Sequence, residues 1–374
     1  MAASFTATSC LSDGENTIVL ESGNNTGIPD DSKADPNPTI TVPTTNIPNV
    51  QYSVEPVGDD AIVRIDMTGI QEVGTLDWLR LVGTAEEGQN VWLSIDGKPK
   101  GIKVYNNSDD EDEEDRKIQA DLVFVVDNSG SMSEEADVIA RDIKSWASKL
   151  EASNLDIRFG CVGYDGRVNG GINITDAQSL SDFLDRSSGT SRTYGFVGSD
   201  ASSLSSAASV YSTYGECGGA GIRFADANMK FRFGSNRIYV NFTDEPNQPG
   251  RKSDFSTEFF KSQTDWNASQ GTVHTVYSAD TTYFRETMFV DEKPWRISQY
   301  TGGTILQTDP SFSGVTLESL PVTGAMQNSY IIRFTNVNEF LDGQPHVMKI
   351  TILSADGKTK AERVFYVTFV VNEA

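Results

Sequence analysis

Three oxygen-bearing side chains stand at alternate positions directly after a short apolar segment of the chain. Leu122–Val126 reads LVFVV, and Asp127, Ser129 and Ser131 follow it in a glycine-containing turn. A carboxylate and two hydroxyls are hard oxygen ligands, which suit Mg²⁺, Mn²⁺ or Ca²⁺ better than softer metals. The spacing therefore predicts a divalent cation site. The alternative is an ordinary strand-to-helix turn, because Asp and Ser are also common turn and helix-capping residues.

The elements around this turn would place the three side chains at one edge of a sheet. The unbroken apolar segment is typical of a strand buried on both faces, and a helical pattern follows it from Glu134 to Leu150. Strand-like and helix-like segments then alternate, which predicts an α/β fold with a doubly wound, mainly parallel sheet. The strand-like segments are Ile157–Tyr164, Arg237–Phe242, Gly271–Ser278 and Thr304–Thr308, with a short antiparallel edge at Asn169–Ile174; the helix-like segments are 134–151, 176–186, 200–213, 217–231 and 254–269.

The pattern Asp-x-Ser-x-Ser after an apolar strand resembles the metal-ion-dependent adhesion site of von Willebrand factor A domains. Ligands of doubly wound sheets gather beyond the carboxyl ends of the strands, and Asp244 directly follows the strand-like segment 236–243. The resemblance implies that Asp244 approaches the metal, which the family often arranges through water. As a purely structural alternative, an Asp before a proline-containing loop is a good strand terminator.

A second resemblance concerns the segment Tyr214–Ile222, which reads YGECGGAGI. It is similar to the Pro-Glu-Gly-Gly segment in the A-like domain of the integrin β chain, where a glutamate replaces the threonine ligand of other A domains. The resemblance implies Glu216 as a metal ligand, and Thr193 is the reserve ligand if Glu216 points away. Arg158–Asp165, RFGCVGYD, resembles the second strand of the same domain.

The A-like domain of the integrin β chain also holds further ions, and this chain has the corresponding residues for only one of those sites. Glu134 and Glu135 fall where that domain has two acids for an adjacent metal site. A capping box formed by Ser131 and Glu134 explains the first acid equally well. Tyr211 and Thr213 replace the Asn and Asp that would hold a third ion, so we expect no third site.

Composition shifts along the chain predict its domain organisation. An irregular segment with short strands (1–49, including Thr17–Leu20 and Thr39–Val42) precedes the first portion of a β-sandwich (50–107), an acidic linker (108–117), the A-type domain (118–326) and the second portion of the sandwich (327–374). The predicted sandwich strands are Ala61–Met67, Leu76–Val82, Asn90–Ile95, Ile102–Tyr105, Tyr330–Phe334, Val347–Leu353 and Val364–Val371. The α/β domain would thus be inserted in the sandwich or flanked by it. A separate C-terminal β-domain is the alternative.

Charge and composition limit the function classes. With 53 acidic and 30 basic residues the net charge is −23, which argues against nucleic acid and anionic membranes as partners. No segment has the 18 or more apolar residues of a membrane span, so we expect no direct membrane insertion.

The start Met1–Ser4 suggests that an export signal or lipid anchor was removed. The three cysteines, Cys10, Cys161 and Cys217, form at most one pair. Two histidines give no zinc-hydrolase ligand set, so we expect no enzyme and no catalytic residue.

These features support one main hypothesis and two alternatives. The main hypothesis is a bacterial adhesion protein, extracellular or attached to the cell surface, whose divalent ion accepts a carboxylate from a protein partner. The ion would be Mg²⁺, or Mn²⁺ or Ca²⁺. The first alternative is a chelatase-associated or assembly-scaffold module that clamps another protein through the same site. The second is a scaffold that uses no ion. The sequence does not predict the oligomeric state.

Overall fold

The computed structural model describes residues 27–39, 42, 44–57, 60–72, 75, 77–107, 109, 118–132, 135–151, 155–185, 196–279, 289–309 and 316–371. The strands, in chain order, are β1 (Thr44–Thr45), β2 (Gln51–Val57), β3 (Asp60–Met67), β4 (Val91–Ile95), β5 (Lys98–Pro99), β6 (Lys103–Asn106), β7 (Gln119–Asp127), β8 (Asp156–Tyr164), β9 (Val168–Thr175), β10 (Asn236–Thr243), β11 (Thr272–Tyr277), β12 (Ile305–Gln307), β13 (Tyr330–Phe334), β14 (His346–Leu353) and β15 (Lys360–Val367).

Short helices lie between these strands. The α-helices are α1 (Glu135–Glu151), α2 (Ala177–Leu184), α3 (Ser202–Ala208), α4 (Gly218–Asn228), α5 (Trp295–Thr301) and α6 (Pro321–Gln327). The 3-10 helices of the described residues are Asp31–Lys33, Ser253–Phe255, Thr257–Lys261, Ala268–Gln270, Leu317–Ser319 and Asn338–Phe340. Within the described portion of the chain, every helix is too short or too polar to cross a bilayer.

A six-stranded sheet forms the α/β unit, in the order β12-β11-β10-β7-β8-β9. All its pairings are parallel except that of β8 with the edge strand β9. Leu122, Phe124 and Val126 of β7 pack on one side with α1 residues such as Trp146, while the alternate residues of β7 pack on the other side with α4. Strand periodicity thus divides β7 between two cores. The predicted mainly parallel α/β fold is confirmed.

Two antiparallel sheets accompany the α/β unit, in the orders β1-β15-β14-β4-β5 and β2-β3-β13-β6; only the pair β1–β15 is parallel. β13 lies between β3 and β6, and β14 lies between β15 and β4. Buried residues of both sheets, such as Ile65, Leu93 and Ile350, belong to one apolar cluster. Strands from before and after the α/β unit therefore share a sandwich. The division of the chain into the five segments given above remains our proposal.

Two predictions of secondary structure were wrong, and one strand was missed. Leu76–Val82 forms no strand among its described residues, because the Asn106 side chain bonds Leu81 N and O, each at 2.9 Å, in place of a neighbouring strand. The predicted helix 254–269 contains only 3-10 turns, where side chains such as Ser256 Oγ bond nearby backbone. The strand β2 was not predicted, since polar residues and Pro56 interrupt its apolar pattern.

Candidate metal site

The order of strands reverses at β7, which has β8 on one side and β10 on the other. Both neighbours run parallel to β7, so the carboxyl ends of all three strands share one edge of the sheet. The register places Phe242 beside Val126 and Tyr164 beside Asp127. Asp127 and the residues after Phe242 are therefore brought together at the position where doubly wound sheets form ligand clefts.

Asp127 forms the buried floor of this cleft. Its Oδ1 accepts a hydrogen bond from the backbone N–H of Ser129 at 3.0 Å, and its Oδ2 accepts one from the Thr243 hydroxyl at 2.9 Å. Burial raises the pKa of Asp127 to about 8; the charge of Asp244 also raises it, while the hydrogen bonds oppose the shift. A carboxylate in these surroundings is stabilised in its charged form by a nearby cation.

A chain of oxygens extends from this floor to the surface. The hydroxyls of Ser129 and Ser131 lie 3.0 Å apart, and Ser131 Oγ donates to Asp244 Oδ1 at 3.1 Å. Ser129 is buried, Asp244 is half-buried and Ser131 is exposed. The turn after β7 and the loop after β10 therefore contribute side chains to one cleft, which opens to solvent at Ser131.

Glu216 precedes α4 and lies beside the loop after β10. Its Oε2 accepts a hydrogen bond from Gln248 Nε2 at 3.3 Å, and its backbone carbonyl accepts one from Gln248 N at 2.8 Å. Burial raises the pKa of Asp244, and the charge of Glu216 contributes to the rise. The structure thus brings Glu216 into the same electrostatic surroundings as Asp244.

Three residues of the cleft were not predicted from the sequence: Thr243, Glu245 and Gln248. Glu245 is half-buried; burial, together with the charges of Asp244 and Glu216, raises its pKa to about 7. Thr243 follows from the strand register, because it lies opposite Asp127 once β10 is paired with β7. No comparable sequence signal marks Gln248, which depends on the path of the loop.

Hydrogen bonds tie the loop after β10 to its surroundings. Asn247 Oδ1 accepts from the backbone N–H of Gly219 at 2.9 Å and from the Cys217 thiol at 3.1 Å. Asn247 Nδ2 donates to Glu292 Oε2 at 2.8 Å. Cys217 and Cys161 are buried and form no disulfide within the described residues, and burial raises the pKa of Cys217 to about 12. Both are therefore packing residues, while Cys10 lies outside the described residues.

The donor set fits a hard divalent cation. Asp127, Glu216, Asp244 and Glu245 lie in one cleft, and none of them forms an ion pair with a described Lys or Arg. In addition, Asn128 Oδ1 is buried with no hydrogen-bond donor among the described residues. Like charges in a partly buried site repel one another unless a cation compensates them. No group of three or more His, Cys, Asp and Glu in the described ranges is arranged to hold a metal alone. The predicted set contains three of these acids, Asp127, Glu216 and Asp244, so the arrangement of the ligands around an ion is our proposal.

Other predicted residues lie elsewhere or outside the described portion of the chain. Glu134 and Thr193 are outside it, as is the side chain of Glu135, so the adjacent site and the reserve ligand stay predictions. Tyr211 packs against the rings of Phe224 and Phe255. The Thr213 hydroxyl donates to the Gly215 carbonyl at 2.7 Å, which helps to shape the segment before Glu216.

The first half of the α/β unit is similar to a known protein family. Residues 121–209 match the von Willebrand factor type A domain. The match begins in β7, includes the Asp-x-Ser-x-Ser turn and ends just after α3. The comparison with curated proteins gave no match.

Several solved structures are similar at low sequence identity. BatB from Bacteroides thetaiotaomicron has 16% identity and a TM-score of 0.35, over 56% of this chain and 96% of that chain. The vWF domain of the type V pili tip protein Mfa5 from Porphyromonas gingivalis has 16% identity and a TM-score of 0.24, over 35% and 39%. The pilus adhesin SpaC from Lactobacillus rhamnosus GG, in its open conformation, has 11% identity and a TM-score of 0.35, over 90% and 55%.

Proposed function

We propose that this chain is a non-enzymatic adhesion or ligand-binding protein that engages an acidic group of a protein partner through a divalent cation. The residues that would hold the ion are Asp127, Ser129, Ser131, Glu216 and Asp244, with Mg²⁺ the first choice and Mn²⁺ or Ca²⁺ the others. An exported protein on a bacterial surface is the setting that we propose. The match of residues 121–209 to the A-type domain supports protein binding as the general role.

One observation carries the proposal: the Ser131–Asp244 hydrogen bond of 3.1 Å joins two loops that are 113 residues apart in the chain. Both residues belong to the ligand set that the sequence predicts. Oxygen ligands from separate strand ends are what a hard cation requires, since it binds six or more oxygens from several directions. The cleft also opens to solvent beside Ser131, where a partner's side chain can enter.

The residues of the cleft have different roles in binding the ion. Asp127 is oriented by Ser129 and Thr243 before any ion arrives, so its placement costs little on binding. The bound ion would supply a positive charge and an open coordination position to an incoming carboxylate. Gln248, which bonds Glu216, positions that carboxylate beside Asp244. We also propose that the negative charge of Glu216 lowers the attraction of the loaded site for an acidic partner.

Thermal unfolding with and without metal tests the proposal. The wild type should melt at a higher temperature in Mg²⁺, Mn²⁺ or Ca²⁺ than in EDTA, because a ligand at 100 times its Kd stabilises the folded state by about 2.7 kcal/mol. Asp127→Asn should abolish the shift and preserve the fold, since the amide oxygen can still accept the bond from Ser129 N and the amide NH2 can donate to the Thr243 hydroxyl. Asp182→Asn, at an exposed position of α2, is the matched control and should retain the full shift.

Two outcomes would contradict this assignment. A metal-dependent shift that survives in Asp127→Asn would place the ion elsewhere in the chain. A wild type whose melting temperature responds to none of the three ions would favour the scaffold without an ion.

A further inference from the structure

A groove of about 350 Å³ lies on the side of the sandwich that faces the α/β unit, at the opposite end of β10 from the metal cleft. One wall is formed by Gln51, Tyr52, Ser53 and Val54 of β2. The other walls come from the segment Phe231–Gly234 with Arg237, from Ser269, and from Thr368 and Val370 after β15. Nothing in the proposed metal-dependent function uses this groove.

The groove follows the open edge of β2. Four consecutive residues of β2 line it, whereas a groove on one face of a strand would be lined by alternate residues. β2 is the outer strand of its sheet, and β3, its partner, contributes no lining residue. The hydrogen-bonding edge of β2 therefore borders the groove over about 13 Å, at roughly 3.3 Å per residue.

Pro56 indicates which backbone groups face the groove. Proline lacks an N–H and is tolerated in an edge strand where that position points away from the neighbouring strand. Since Tyr52 and Val54 are four and two residues before Pro56, their backbone N–H and C=O groups share its outward direction. Their side chains pack into the sandwich core instead. Two pairs of backbone donors and acceptors are thus directed at the groove.

The opposite wall is apolar at its rim and carries two arginines inside. Phe233 is 73% exposed and Val370 is 57% exposed, so two large apolar side chains are open to solvent at this rim. Arg237 and Arg232 line the groove, while no Asp or Glu does. Asp226, the partner of Arg237, has a side-chain exposure of 8% against 30% for Arg237, so the Arg237 guanidinium is the charge nearer to solvent. Arg232 differs, because it is paired both with the buried Asp121 and with Asp156, whose side chain is 38% exposed.

We propose that this groove binds an extended segment of a partner protein, which adds to β2 as an extra strand and carries an acidic side chain opposite Arg237. The backbone of Tyr52 and Val54 would supply the hydrogen bonds, and Phe233 and Val370 would cover apolar side chains of the added strand. Strand addition at a free sheet edge is a general mode of peptide recognition. The acidic side chain complements Arg237, whose charge lies nearer to solvent than that of its partner Asp226.

Binding of a defined peptide to the full chain tests this inference. The probe is acetyl-Glu-Val-Thr-Val-Thr-Val-amide, titrated by calorimetry in EDTA, with hydrogen exchange of the backbone amides as a second measurement. We expect saturable binding and slower exchange at Tyr52 and Val54. A peptide methylated on every backbone nitrogen should not bind, and one with Lys in place of Glu should bind more weakly.

Substitutions in the groove test which side chains contact the peptide. Arg237→Gln should weaken binding of the Glu peptide about 2–5-fold, as expected for a partly exposed ion pair, and Phe233→Ala should weaken it as well. Asp226 keeps Arg223 and Gln270 as partners, so Arg237→Gln should still fold. Val210→Ala, which alters an exposed apolar residue outside the groove, is the matched control and should have no effect.

Three results would overturn the inference. The first is unchanged exchange at Tyr52 and Val54 at millimolar peptide. The second is equal binding of the methylated peptide, which would show that the strand edge plays no part. The third is dimerisation of the chain in sedimentation that Arg237→Gln abolishes, which would assign the groove to a second copy. Because EDTA is present throughout, none of these results bears on the proposed metal site.

Discussion

The carboxylates of the cleft differ in how firmly the fold holds them. Asp127 is buried and accepts two hydrogen bonds of 3.0 Å or less from the turn and from β10. Glu216 is half-buried, and its side chain accepts a single bond of 3.3 Å from Gln248. We therefore expect Asp127 to determine whether an ion binds and Glu216 to determine how tightly it binds.

This difference leads to a prediction for Glu216, based on the proposed ligand set. Glu216→Gln keeps the size of the side chain but removes a charged ligand, so Mg²⁺ affinity should fall about tenfold or more, which corresponds to ~1.4 kcal/mol. Glu245→Gln is the matched control, since Glu245 lies in the same cleft but is not a proposed ligand, and its effect should be smaller. Calorimetric titration measures both. Equal losses of Mg²⁺ affinity in the two variants would show that Glu216 acts only through its charge and is not a ligand of the ion.

For individual residues, strand geometry was enough to predict only those cleft positions that directly follow a strand. Asp127 and Asp244 could be placed together because parallel neighbours end at one edge of the sheet. Glu216 came from a family resemblance instead. Glu245 and Gln248 could not be predicted, because their positions depend on how the loop after β10 bends back toward Glu216, and no periodic pattern encodes such a bend.

Among the elements, the start of β14 is held by a histidine between two carboxylates. His346 Nδ1 lies 2.8 Å from Asp96 Oδ2, and its Nε2 lies 3.0 Å from Asp342 Oδ1. The rings of Phe340 and Phe369 flank the imidazole. Burial lowers the pKa of His346, but the hydrogen bonds and charges of the two aspartates raise it, and the net shift is upward. The same contacts lower the pKa of Asp96, together with the bond from Val347 N and the charge of Lys98.

The direction of these shifts predicts a pH-dependent contribution to stability. A raised histidine pKa stabilises the fold fully below the unfolded value of about 6.5 and loses this effect as pH rises through the folded pKa. The lowered aspartate pKa values stabilise it above about 3.9 and lose the effect in acid. His346→Gln should therefore lower the melting temperature more at pH 5.5 than at pH 8.5. Equal losses at both pH values, in parallel thermal scans of variant and wild type, would contradict the proposed charge pairing.

The elements that the sequence predicted well are those with an apolar period. β7, α1 and β13 show unbroken or periodic apolar residues, so their existence was clear and their boundaries differ by only a few residues. The helix expected over 254–269 fails because polar side chains there bond the local backbone, which apolar spacing cannot indicate. α5 and α6, each seven residues long, were not predicted, since two turns carry too little pattern to recognise.

At the scale of the whole molecule, the sandwich depends on strands from both ends of the chain. β13 and β14 are inner strands: β13 lies between β3 and β6, and β14 lies between β4 and β15. Their loss would remove the middle of both sheets and would expose core residues such as Ile65 and Leu93. Arg363 of β15 also links this unit to the α/β unit, since its guanidinium donates to the carbonyls of Ile47 at 2.8 Å and Tyr300 at 2.9 Å.

A chain ending at residue 327 should therefore lose the fold of β2–β6 while β7–β12 retain theirs. The remaining sandwich strands lack both their inner neighbours and the apolar cover of their faces, and a few isolated strands are marginal in water. Denaturant unfolding should show one transition fewer than the full chain, or a smaller dependence on denaturant, because less surface is exposed on unfolding. An undiminished transition for the β-sheets in the shortened chain would show that β2–β6 fold independently.

The shared sandwich has a consequence for the order in which the chain folds. About 220 residues separate β6 from β13, so their pairing requires closure of a loop whose entropic cost rises with its length. During synthesis, residues 51–106 leave the ribosome long before their partners exist, while β7–β12 can pair soon after they emerge. Compaction of the α/β unit would then bring its two ends close together and shorten the effective loop. The earliest strands of the chain are thus expected to be among the last to acquire their final neighbours.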